Sequence, residues 1–136
     1  MTSISTDKAK LDRDLVHRFL ARESYWARSR SRDENDRIIE RSLCFGAYDG
    51  DGRQIGYARV VSDSAAFAYI GDVFVVPQAR GRGIGKALMT AILEHPEVRD
   101  VRRMALVTDD AHGLYAAFGF QALDDVEKWM QRRRPT

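Results

Sequence analysis

One stretch constrains this chain more than any other: Val73-Phe74-Val75-Val76-Pro77-Gln78-Ala79-Arg80-Gly81-Arg82-Gly83-Ile84-Gly85-Lys86. A β-branched and aromatic run feeds a loop with Gly81, Gly83 and Gly85, and the spacing of Ala87, Leu88, Ala91, Ile92 and Leu93 then marks an amphipathic helix that ends before Pro96. A strand that turns into a helix through glycines lets a ligand approach the backbone closely and offers it the unpaired N–H groups of the first helical turn. Arg80, Arg82 and Lys86 place three cations on the same turn, a combination that suits a pyrophosphate. Spacing excludes two familiar phosphate loops. A Walker loop needs Gly-x-x-x-x-Gly-Lys-Ser/Thr, whereas Gly85-Lys86 is followed by Ala87 and Arg80 holds the first glycine position. A dinucleotide fingerprint would need a third glycine where Lys86 stands, and a βαβ unit around it.

The rest of the chain reads as an α/β arrangement. Residues 3–6 read as a short strand, and Leu11, Leu15, Val16, Phe19 and Leu20 recur at helical spacing over 11–21. A second helix is predicted over 33–41 with Asp33 as its N-cap. Strands come next at 43–48, 55–61 and 67–76, the first two joined by the turn Asp49-Gly50-Asp51-Gly52, so that an antiparallel meander precedes the glycine turn. After the central helix come a short strand at 104–108, a short helix at 111–118 ended by Gly119, and a final edge strand at 128–132. Pro77, Pro96 and Pro135 read as element boundaries.

With 136 residues and about 100–200 residues per domain, one domain spanning 1–136 is expected. Hydrophobic residues at 44% and charged residues at 31% exclude disordered, collagen-like and disulfide-scaffold classes. Cys44 is the only cysteine, which excludes an intramolecular disulfide and a structural zinc site built on cysteines; His17, His95 and His112 show no metal spacing, and no metal is expected. A net charge of +2 without a clustered patch gives no sign of a nucleic-acid or membrane partner. There is no long apolar run, and the N-terminal stretch lacks a signal-peptide core, so a cytoplasmic location is expected.

The spacing that does fit is Arg-x-x-Gly-x-Gly at Arg80, Gly83 and Gly85, directly after Val-Val-Pro. Here the chain closely resembles the GNAT-type N-acetyltransferase superfamily, whose Gln/Arg-x-x-Gly-x-Gly/Ala turn binds the pyrophosphate of acetyl-CoA. A second block, Ala111-His112-Gly113-Leu114-Tyr115-Ala116-Ala117-Phe118-Gly119-Phe120, is similar to the family's Ala-x-x-Leu-Tyr-x-x-x-Gly-Phe segment. The resemblance covers about residues 43–133, and more loosely the two N-terminal helices. It implies a mixed, mostly antiparallel central sheet flanked by helices and splayed at a bulge before the glycine-rich turn. It also implies acetyl-CoA as co-substrate, with direct transfer of the acetyl group to a primary amine, a small molecule being favoured. The alternatives are a non-catalytic acyl-CoA-binding regulatory module and acetylation of a protein amine. A monomer or homodimer is expected.

Residue by residue, the resemblance implies main-chain contacts to the pantetheine arm from Phe74, Val75 and Val76, whose side chains belong to the core. The amides and cations of Arg80, Gly81, Arg82, Gly83, Ile84, Gly85 and Lys86 are implied to hold the pyrophosphate; otherwise the segment is a solvated basic loop. Tyr115 matches the tyrosine that protonates the departing thiolate, the alternative being a tyrosine packed beside Phe118 and Phe120. Asp72 matches an acidic position, either a general base with a raised pKa or an aspartate that fixes the bulge. Many relatives have asparagine where this chain has Thr108, so Thr108 is the candidate for that contact, with Asp109 capping the short helix. Tyr25 and Trp26, together with Arg28, Arg30 and Arg32, suit either the wall of a pocket for an anionic acceptor or a packed-down loop with solvated arginines. Cys44 reads as core packing, and nothing near it in sequence would lower its thiol pKa for a covalent intermediate.

Overall fold

The computed structural model describes residues 1–23 and 30–135. The elements are β1 (Ser3–Ser5), α1 (Arg13–Glu23), α2 (Arg32–Arg41), β2 (Leu43–Tyr48), β3 (Gln54–Ser62), β4 (Phe67–Val75), α3 (Ile84–Glu94), β5 (Arg103–Leu106) and α4 (His112–Ala116), with 3-10 turns at Lys8–Lys10, Pro77–Ala79 and Val126–Lys128. The strands form one sheet in the order β1-β2-β3-β4-β5. Every neighbouring pair is antiparallel except β4 and β5, which run parallel because α3 carries the chain back between them.

Strand alternation assigns the two faces. Tyr57 and Phe74 point to one side, where Phe19 of α1 stacks on Phe74 with centroids 4.2 Å apart. Cys44 lies on this face too, its Sγ 3.3 Å from the Tyr57 hydroxyl and 3.5 Å from the Ile39 carbonyl of α2. Gly56, one residue from Tyr57, faces the other side, where a Cβ would stand 3.2 Å from Ile84 Cγ2 of α3. Leu88, Met89 and Ile92 of α3 are fully buried against that face, and Val16, Leu20 and Ile39 cover the first.

Three expectations from the sequence are corrected. The N-cap of α2 is Ser31, whose hydroxyl accepts from the Glu34 N–H at 3.1 Å, so Asp33 sits inside the first turn and interacts with the helix dipole instead. The strand after α3 stops at Leu106, leaving Val107 exposed and Thr108 in position to cap the turn into α4. No strand forms at 128–132. The side chain of Trp129, not its backbone, docks this segment: Nε1 donates to Asp125 Oδ1 at 3.0 Å, the Arg103 guanidinium lies 4.6 Å over the ring, and the ring sits beside Phe67. Among the described residues no helix is long and apolar enough to cross a membrane.

Candidate active site

The sheet opens at one place, and two features of β4 cause it. Pairing between β4 and β5 runs from Phe67↔Arg103 to Ile70↔Leu106 and stops, while β4 continues to Val75. On the β3 side the register shifts between Tyr57↔Phe74 and Arg59↔Gly71, so Asp72 and Val73 together oppose Ala58. This is a β-bulge, and Asp72 occupies it with φ of 54°, in the left-handed region that suits Asp and Asn better than most residues. The bulge bends β4 away just where its pairing with β5 ends.

Backbone direction then decides which groups face the opening. The Val76 N–H donates to the Ile55 carbonyl at 2.9 Å, so Val76 is committed to the β3 side. Alternation puts the Phe74 main chain on that side too and turns Val75 toward the gap, where its carbonyl accepts from Arg80 Nε at 3.2 Å. Of the main-chain contacts expected from Phe74, Val75 and Val76, only those of Val75 face the opening, and the Val76 N–H is already engaged.

Next along the chain is the glycine turn. Gly81 and Gly83 have φ of 81° and 77°, with nothing within 4 Å of where a Cβ would be, so both are required by backbone conformation and leave open space above it. Gly83 is the N-cap of α3, no side chain caps that end, and the first helical bond runs from the Ala87 N–H to the Gly83 carbonyl. The N–H groups of Ile84, Gly85 and Lys86 therefore precede the helical ladder, at its positive end. Arg80, Arg82 and Lys86 are exposed around them, with Arg82 donating to the Gln78 carbonyl at 3.3 Å. Gly85 has ordinary helical geometry and lies where a Cβ would touch Leu114 Cδ2 at 3.4 Å, which brings α4 close to the turn.

On α4, Tyr115 is 7% exposed and packs edge-on to Phe120. Its hydroxyl has no hydrogen-bond partner among the described residues, and it is not among the sealed, unsatisfied polar atoms. Burial, with a smaller effect from the Asp110 charge, raises its pKa above the usual phenol value, so the group stays protonated across the neutral range. Thr108 caps the approach to α4: its Oγ1 accepts from the Ala111 N–H at 3.0 Å, taking the place expected for Asp109.

The Asp72 carboxyl differs most from expectation. It is 6% exposed and held by two guanidinium groups: Arg30 Nη1 donates to Oδ2 at 2.7 Å and Nη2 to Oδ1 at 3.4 Å, while Arg59 Nε donates to Oδ2 at 2.8 Å. Burial alone would raise its pKa, but the Arg30 hydrogen bond and the charges of Arg59 and Arg30 outweigh it and hold the carboxyl below the usual range. The raised pKa expected of a general base is thus replaced by a lowered one. Arg30, in turn, is tied to α1 through its carbonyl, 2.9 Å from His17 Nε2. Arg32 pairs with Asp14 and Asp36 on the surface, and Tyr25, Trp26 and Arg28 lie outside the described residues. The sequence reading missed Arg59. Its position in β3, two residues from core Tyr57 and so on the same inward face, was the available signal, since an inward charge in a sheet demands a partner.

A sheet that opens beside a bulge, an uncapped helix behind a left-handed glycine turn and a tyrosine with a free hydroxyl can be compared with known proteins. The profile of the Acetyltransferase (GNAT) family matches residues 13–120. The chain belongs to this family. A Xanthomonas campestris pv. campestris protein assigned to the GNAT family is 47% identical in sequence, with a TM-score of 0.95 over 99% of this chain and 94% of that one. A Clostridium acetobutylicum protein crystallised with acetyl-CoA shares the fold at 17% identity and a TM-score of 0.71, over 98% of this chain and 96% of that one. Among curated relatives, a Gibberella zeae protein named as an acetyltransferase is 29% identical over 80% of this chain and 73% of its own length. GCN5-related N-acetyltransferase 2 of Arabidopsis thaliana is 38% identical over 54% of this chain, but only 31% of its own length is matched. The acetyltransferase family and the GNAT-type sheet are established by these matches; acetyl-CoA-dependent acetyl transfer is the activity they support in general terms.

Proposed function

We propose that this GNAT protein transfers an acetyl group from acetyl-CoA directly to the primary amine of a small molecule. The observation that carries this reading is the opening of β4 from β5 in line with the uncapped start of α3, two separate backbone cradles fed by one strand. The N–H groups of Ile84, Gly85 and Lys86, with Arg80, Arg82 and Lys86 around them, would hold a pyrophosphate. The Val75 main chain would pair with the pantetheine arm, and a backbone N–H aimed at the thioester carbonyl would stabilise the developing oxyanion. Thr108, already engaged by the Ala111 N–H, is the candidate for a further contact to the arm.

In the proposed reaction the neutral amine attacks the carbonyl carbon; the C–N bond forms, the C–S bond breaks, and the sulfur takes the Tyr115 phenolic proton while the amine loses one of its own to solvent water, from which Tyr115 is reprotonated. Tyr115 is the general acid. We assign Asp72 to fixing the bulge, not to accepting that amine proton, because two ion pairs stabilise its charged form. Cys44 supports direct transfer: it is buried, and burial raises its thiol pKa, the opposite of an activated nucleophile.

A thermal-shift titration with acetyl-CoA, CoA, ATP and NAD tests the reading. A ligand at 100 times its dissociation constant stabilises by about 2.7 kcal/mol, so acetyl-CoA and CoA are expected to raise the melting temperature and ATP and NAD to leave it. Thiol release over an amine panel then separates an enzyme from a binding module. No shift with either CoA compound in folded protein removes the proposal.

A further inference from the structure

Two guanidinium groups meet one carboxylate at the bulge, and the second is only partly used. Arg59 spends Nε on Asp72 Oδ2; its two terminal nitrogens have no hydrogen-bond partner among the described residues, although the side chain is only 15% exposed. Among the described residues neither counts as a sealed, unsatisfied atom, and the side chain keeps part of its surface open beside the bulge. Arg30, 14% exposed, uses both of its terminal nitrogens on the same carboxylate. Among the described residues, the cluster therefore carries one positive charge in excess, in a half-desolvated place where its field is weakly screened.

Its location gives that charge a use. Arg59 faces the same side of the sheet as Tyr57 and Phe74, the side covered by α1 and α2, and pairs in register with Gly71, one residue beyond the last β4–β5 pair. Asp72 lies three residues before Val75, which is about 10 Å along a strand. The unpaired nitrogens thus lie within a small molecule's length of the opening, on the helix-covered side. A guanidinium fork is the group best matched to a planar carboxylate, and it forms charge-assisted bonds there. Arg59 is held in place by Asp72 rather than neutralised by it.

We infer that Arg59 is a specificity-determining residue that receives a carboxylate on the amine acceptor, so the favoured acceptors are small amino acids with the amine and carboxylate at opposite ends. This rests on the acyl-transfer reading above and adds the acceptor's chemical class to it.

The test uses a ladder of straight-chain ω-amino acids of increasing length, each beside its carboxamide, in two measurements. One is kcat/KM by thiol release. The other, independent of turnover, is the affinity of the N-acetylated compounds for CoA-saturated protein. At the best chain length the carboxylate is expected to be favoured over the carboxamide by about tenfold or more, since hydrogen bonds to a charged group are the strong ones. In Arg59→Gln that ratio falls toward one. Arg59→Lys keeps the charge beside Asp72 but not the fork, and gives an intermediate ratio; it also serves if Arg59→Gln folds poorly. Because a ratio is read, a general loss of activity does not mimic the result. A wild-type ratio near one in both measurements, or a ratio unchanged in both variants, overturns the inference. Thiol release without carboxylate preference sinks it alone. Carboxylate preference in binding without thiol release from any amine sustains it and sinks acyl transfer.

Discussion

Tyr115 has a hydroxyl with nothing to lose inside the fold. Its oxygen makes no hydrogen bond among the described residues, whereas the Tyr57 hydroxyl is tied to Cys44. Removing it therefore breaks no internal bond, and Tyr115→Phe is a clean chemical test. The melting temperature and acetyl-CoA affinity are expected to stay near wild type while kcat falls about 100-fold or more, the usual worth of a positioned proton donor. Wild-type kcat in Tyr115→Phe would withdraw the general acid. Gly83 tests the other end of the site. With φ of 77° and open space around it, a side chain there is resisted by backbone conformation, not by a clash. Gly83→Val is expected to cost about 1–3 kcal/mol of stability from strain. It also places a branched side chain in the space above the first-turn amides. Calorimetry should show acetyl-CoA affinity reduced at least tenfold, and an unchanged affinity would mean the pyrophosphate lies elsewhere.

At the scale of elements, the bulge in β4 organises the site. It is held by Asp72 between Arg30, ahead of α2, and Arg59 on β3, so one carboxylate joins the helical layer to the sheet. Asp72→Asn isolates the charge, because Asn tolerates the left-handed backbone about as well as Asp. It leaves two partly buried cations without their counter-ion, which is expected to cost about 3 kcal/mol, the low end for breaking a buried pair. A general base, by contrast, would lose turnover with stability intact. Thermal melting beside kcat in Asp72→Asn separates the two roles. The pH dependence has a definite sign. A carboxyl whose folded pKa is depressed contributes stability above its unfolded value, about 3.9, and loses it as pH falls through the folded value. Wild type should lose stability over that acidic range more steeply than Asp72→Asn. Much of this framework was legible in the sequence: the meander, the glycine turn and the block around Tyr115 carry local signals of spacing and turn chemistry. Pairing between distant side chains was not legible. Asp72 among Ile70, Gly71 and Val73 reads as a carboxyl in apolar surroundings, and only the fold brings Arg30 and Arg59 to it from 42 and 13 residues away. The end of the chain failed for a related reason. Residues around Trp129 have strand-like composition, but the indole's hydrogen bond to Asp125 and the Arg103 guanidinium over its ring hold the segment by its side chain.

Taken whole, the molecule presents backbone groups at two places that the proposed acetyl-CoA would span: the Val75 edge of β4 and the first turn of α3. The antiparallel pairs of β2, β3 and the first half of β4 are already satisfied internally, so the ligand has nothing to add there. Amide hydrogen exchange can read this division directly. In the free protein the amides at 84–86 and the outward amide of Val75 have no internal acceptor in helix or sheet and should exchange fast, while those of 43–48 exchange slowly. Saturating acetyl-CoA is expected to slow exchange strongly at both 73–76 and 84–86. Residues 43–48 should slow only by the global stabilisation common to any tight ligand. Inorganic pyrophosphate supplies the control, since it can occupy the helix cradle but cannot reach along the strand, and it should protect 84–86 alone. If acetyl-CoA protects no more than pyrophosphate does, the gap between β4 and β5 is not where the acyl arm lies. The opening would then be a packing consequence of the bulge, and the catalytic arrangement built on Val75 and Tyr115 would fall with it.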